Sequence, residues 1–103
     1  MACSQGEGSE RRVGPVVFRF MEFHDAGHVV ERHTHDFDHA TIGVRGRVTV
    51  NLYRDGVLFE SAVLGPRDAM NVPAWAEHEV VGIDPDSEAW CVFVNHGTDR
   101  DAV

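Results

Sequence analysis

The chain has 103 residues, 43% of them hydrophobic, and a formal net charge of −8 from 17 acidic and nine basic side chains. That length fits one domain, burying roughly 60–70% of the surface its unfolded chain exposes. The acidic balance, with basic residues scattered rather than clustered, excludes nucleic acid as a main partner, because phosphate binding needs a basic stripe.

Residues 1–12 are rich in Gly, Ser, Gln, Glu and Arg and hold no apolar run able to serve as a signal-peptide core, so they read as a disordered lead-in. Residues 13–97 read as a single β domain, with extended segments and turn signals at intervals of roughly 8–12 residues and no helical periodicity. Val16–Phe23 is rich in Val and Phe, 28–35 carries His33 and His35, and 40–44 leads into an Arg45-Gly46 turn. In 47–54, Val48, Val50 and Leu52 alternate with Thr49, Asn51 and Tyr53, the period-two pattern of a half-buried strand. Asp55-Gly56 follows, a dipeptide that tolerates the positive φ of a type I′ turn, and predicts that 47–54 pairs with Val57–Leu64. Gly65-Pro66 breaks the chain, 68–72 is a brief strand ended by Pro73, and 78–83 and 89–95 flank the turn Asp84-Pro85-Asp86-Ser87. Residues 98–103 form a polar, flexible tail.

Eight or so strands without a helix predict an all-β fold, a closed or double-sheet architecture that hides strand edges. Cys3 and Cys91 are too few and too far apart for a disulfide framework, and no run approaches the roughly 18 apolar residues that span a bilayer, so a soluble cytoplasmic protein without a membrane partner is expected.

The chemistry concentrates in histidine. His33, His35 and His39 lie in one short stretch, and His78 follows Pro73-Ala74-Trp75-Ala76-Glu77. On an extended strand, side chains two apart leave from the same face, so His33 and His35 can bite one ion together. The four spacings allow convergence on one divalent metal. His24, His28 and His96 lack such spacing and are assigned to surface or rim positions.

Gly27, then His33-x-His35, then His39 and Gly46 at intervals of five, three and six residues, resembles the first motif of the cupin family. His39 stands where that family usually carries Glu. Pro73-x-Trp75-x-x-His78-x-x-x-Gly82 is similar to its second motif, with Trp75 and Gly82 where Gly and Asn are usual. Arg67 replaces that motif's leading glycine, and Asp68 fits. The resemblance implies a cupin-like double-stranded β-helix, or jelly roll, with His33, His35, His39 and His78 as ligands to one divalent transition metal: Fe, Mn, Ni, Zn or Cu. It also implies a homodimer, since family members commonly pair.

An octahedral ion with four protein ligands leaves two adjacent positions for water, a bidentate oxygen ligand, or dioxygen beside a monodentate substrate. Four neutral imidazoles leave the ion's double charge uncompensated, which favours an anionic ligand and makes binding depend on deprotonated histidines. Asp36 and Asp38 are candidate acceptors for imidazole N–H groups, equally readable as solvated loop acids. Glu31 is the candidate general acid or base, and Thr41, Met70 and Trp75 are pocket candidates beside Phe37, Trp90 and Phe93. If the parity of the histidines holds, Thr41, Gly43, Val80 and Gly82 share the interior face, and the small ones leave room for substrate. The expected function is a metal-dependent enzyme of dioxygenase, isomerase or lyase type acting on a small oxygenated or anionic substrate. The alternatives are a non-catalytic metal or small-ligand binding module and a purely structural metal.

Overall fold

The computed structural model describes residues 7–33 and 37–94, with the side chains of 7–9 and 31–33 outside that description. Nine strands run in chain order: β1 (Glu7–Val13), β2 (Val16–Phe23), β3 (Val29–His33), β4 (His39–Arg45), β5 (Val48–Arg54), β6 (Val57–Leu64), β7 (Ala69–Val72), β8 (Glu77–Gly82) and β9 (Ser87–Val94). They form two antiparallel sheets, a five-stranded β1-β2-β9-β4-β7 and a four-stranded β3-β8-β5-β6. Every described strand neighbour is antiparallel, and, apart from the β1–β2 and β5–β6 hairpins, consecutive strands cross between sheets as a jelly roll requires. The described residues contain no helix long and apolar enough to cross a membrane.

Alternation in the sequence becomes alternation in burial. β4, β5 and β8 bury every second residue, placing Val48, Val50 and Leu52 inside and Thr49, Asn51 and Tyr53 on the outer side. The main core gathers Met21, Phe23, Val30, Val50, Leu52, Leu64, Val72, Val80, Ala89 and Cys91 among others, while Val17, Phe37 and Phe93 form a smaller cluster. Asp55 and Gly56 take φ of 53° and 79°, joining β5 to β6 as the dipeptide predicted.

The lead-in expectation is corrected at its end. Residues 7–12 belong to β1, which pairs with β2 through Glu10↔Arg19, Arg11↔Phe18 and Arg12↔Val17. Their composition is polar because an edge strand needs one ladder and no buried face, and Arg19 meets Glu10 at 3.0 Å to hold the register.

One pole of the barrel is closed by backbone bonds, Gly27 N–H to the Gly82 carbonyl at 2.8 Å and Gly82 N–H to the His28 carbonyl at 2.9 Å. The opposite pole, where β4 and β8 begin and β3 and β9 end, carries the histidines.

Candidate functional site

His39 is the first residue of β4 and His78 the second of β8, so each comes from a different sheet. Both are buried, at 4% and 1% exposure, and their rings meet across the interior with centroids 4.8 Å apart and planes at 56°. Two imidazoles holding one ion at about 2.1 Å from adjacent corners place their ring centres roughly 4.5–5 Å apart. The observed spacing therefore suits a shared cation. His78 Nδ1 lies 3.4 Å from the Ala76 carbonyl oxygen, and in the tautomer with hydrogen on Nδ1 this nitrogen donates there and leaves the Nε2 lone pair inward.

His33 reaches the same pole by register, since its Cα is the cross-strand partner of His78 in the β3–β8 ladder. His35, Asp36 and His96 lie outside the described residues. Among the described residues no group of three or more His, Cys, Asp or Glu side chains is placed to hold a metal. The structure thus brings two of the four expected imidazoles together and aligns the strand of a third. By donor chemistry the pair fits a borderline transition ion, which imidazole prefers over Mg or Ca.

Parity holds along both ligand strands: His39, Thr41 and Gly43 on β4, and His78, Val80 and Gly82 on β8, are buried together. The expected space beside the small residues is corrected. A Cβ on Gly43 would run into the Gly65 carbonyl oxygen, and one on Gly82 would lie 2.7 Å from Phe23 Cβ, so both glycines serve close packing. Thr41 is wholly buried opposite Met70 and Cys91, and its hydroxyl has no hydrogen-bond partner among the described residues. Met70 is partly buried against the main core.

Trp75, expected in the pocket, is corrected to the outside. It is 54% exposed, stacked on Phe59 at 5.4 Å with the Arg54 guanidinium 4.7 Å from its centroid. Ala76, closing a turn onto the Pro73 carbonyl, takes the inward place instead and is 1% exposed. Asp38 is exposed, and its Oδ1 accepts the Ala74 N–H at 2.7 Å, tying the two ligand-bearing loops to each other rather than holding an imidazole through that oxygen. Glu31 sits within a register shift between Val30 and His33, so alternation no longer sets it on the face of His33.

Two features escaped the sequence. Arg19 shares the inward parity of β2 with Val17, Met21 and Phe23 and lies opposite Cys91; its side chain is 17% exposed and paired with Glu10. The alternation in Val-Phe-Arg-Phe-Met-Glu-Phe was the available signal. The second is an open cleft of about 460 Å3 beside His39, lined by Phe37, Asp38, Ala40, Asn71, Val92, Phe93 and Val94. Phe37 and Phe93 lie 4.6 Å apart with tilted rings in the wall of this cleft, which His39 also lines, 6.4 Å from Phe37.

No family model matches the chain, and no curated protein matches it. Solved structures do. A structure named KdgF from Halomonas sp. superposes with a TM-score of 0.72 at 28% identity, covering 92% of this chain and 81% of that one. A cupin superfamily protein from Desulfitobacterium hafniense gives 0.68 at 17% identity over 86% and 75%. Hydroquinone 1,2-dioxygenase from Sphingomonas sp., solved with 4-hydroxybenzoate bound, gives 0.69 at 14% identity over 82% of this chain and 25% of its own.

Proposed function

We propose, for a chain that has the cupin fold, that His33, His35, His39 and His78 hold one divalent transition metal and that the protein is a metal-dependent enzyme acting on a small oxygenated or anionic substrate. The observation that carries this reading is the meeting of His39 and His78, from separate sheets, at 4.8 Å in a buried interior. A metal bound there would act as a Lewis acid on an oxygen ligand.

The chain's own residues supply the remainder. The four-imidazole donor set adds no negative charge, so the site favours a carboxylate or enolate over a neutral alcohol. Phe37 and Phe93 pack together beside His39 and give the adjoining cleft an apolar wall. The bond from Ala74 to Asp38 fixes the loop before β8 to the loop before β4, holding His78 and His39 in relation. Among solved neighbours, a hydroquinone dioxygenase with an aromatic carboxylate bound supports the ligand class by its fold alone. We further assign the working state to a homodimer.

The test is elemental analysis of protein purified without chelator or histidine-affinity step, alongside His39→Ala and His78→Ala. One ion per chain, lost in both variants, is expected, with azide or acetate perturbing the spectrum of the cobalt-loaded protein. Undiminished metal in both variants sinks the proposal.

A further inference from the structure

The cleft beside His39 follows from one row of the five-stranded sheet. Ala40 on β4 lies opposite Val92 of β9 on one side and Asn71 of β7 on the other. A methyl between two longer side chains leaves a hollow, and Val94, 44% exposed, carries the apolar side of that hollow to the end of β9. Its volume of about 460 Å3 falls within the roughly 300–1,000 Å3 of small-molecule sites.

The polar part of the lining has one sign. Besides His39, Asp38 is the one ionisable side chain among the described residues that line the cleft, and Asn71 adds an uncharged amide. Glu10, Asp84 and Glu88 elsewhere on the surface each face an arginine. Asp38 has instead the Ala74 N–H, at 2.7 Å on Oδ1, and no cation among the described residues. That bond fixes the carboxylate in advance, so a ligand meeting it has little side-chain ordering to offset. A fixed carboxylate beside aliphatic and aromatic surface suits an organic ammonium, whose charge meets the acid while its ring and methylenes cover the wall. An anion meets repulsion there, from Asp38 and from the net charge of −8.

We propose that this cleft is a binding site for a small aryl-alkyl ammonium compound, its ring over Ala40 between Val92 and Asn71 and its ammonium group on Asp38. The inference goes beyond the proposed metal function and does not rest on it. The imidazole set favours an anion, whereas the cleft selects a cation. His39 lines the cleft as well as facing His78, so an occupant sits beside the imidazole pair.

The test is titration of benzylamine, benzyl alcohol and benzoate into the isotope-labelled full chain at neutral pH, as purified and again with chelator, followed by amide NMR. Benzylamine is expected to bind with a dissociation constant on the order of 1 mM and to move the signals of Ala40, Asn71 and Val92. Benzyl alcohol should bind about three- to fivefold more weakly, the margin an exposed ion pair allows, and benzoate not measurably at about 20 mM. Asp38→Asn keeps an oxygen for the Ala74 N–H and removes the charge, so it should bring benzylamine to the affinity of the alcohol. Ala40→Leu fills the floor and should abolish binding of both. Should a variant fail to fold, the three ligands on wild-type protein still decide, since they differ chiefly in charge. Benzoate binding as tightly as benzylamine overturns the proposal, as does an unchanged benzylamine affinity in Asp38→Asn. So do signals that move only elsewhere in the chain, binding lost with chelator, and no binding at about 20 mM.

Discussion

Buried imidazoles are costly in a core of this size, and His39 and His78 occupy positions that Val or Leu would fill more stably. Replacing either with Leu should therefore raise the melting temperature of the metal-free protein while removing metal binding, an opposed pair of outcomes that differential scanning fluorimetry with and without Zn reads directly. Thr41 offers a control of the same kind. Its hydroxyl is fully buried with no hydrogen-bond partner among the described residues, so isosteric Thr41→Val should stabilise the chain by about 1–3 kcal/mol in urea denaturation. Arg67 holds φ of 76°, in the left-handed region, at the position where the resembled motif carries glycine. Arg67→Gly should relieve that strain and stabilise by up to about 1 kcal/mol. The histidine pair and the odd arginine were both legible in the sequence, because spacing and motif each point to them. Trp75 was not: a turn after Pro73 places one residue inward and the next outward, and nothing in Ala74-Trp75-Ala76 says which until the Ala76 N–H closes onto Pro73.

Hairpins were legible element by element, since Asp55-Gly56 fixes its own pairing and β5 alternates strictly. β1 was not, because an edge strand needs no apolar face, and a polar stretch can take up a ladder as readily as it can remain extended. The glycines misled for a related reason: sequence shows a missing side chain, and only the sheet crossing shows what fills its place. Gly82→Ala should destabilise by about 1–3 kcal/mol, as its Cβ collides with Phe23. At the closed pole, Arg47 donates to Asp84 through two of its guanidinium nitrogens, Nε and Nη2, at 3.0 and 2.9 Å, and holds its carboxyl below the usual carboxylate range. A depressed acid contributes stability that is present above its unfolded value of 3.8 and is lost as pH falls through the lower folded value. Asp84→Asn should therefore lower the melting temperature at neutral pH slightly and leave it unchanged in strong acid, the pair being exposed and screened.

The molecule as a whole sets the buried histidine pair at one end of its apolar interior, and an ion bound to the folded chain alone should stabilise the fold. At a thousandfold excess over its dissociation constant the gain is about 4 kcal/mol. Protons compete for the same imidazoles, so this gain should vanish as pH falls through roughly 6.5; equal melting temperatures with and without metal at pH 8 would contradict it. The most direct measurement is anomalous X-ray scattering from crystals grown with one equivalent of Zn. A single peak per chain, about 2.1 Å from nitrogens of His39 and His78 with His33 and His35 completing the shell, is the predicted result. Peaks confined to His24 or His28, with the His39 and His78 rings unliganded, would contradict it.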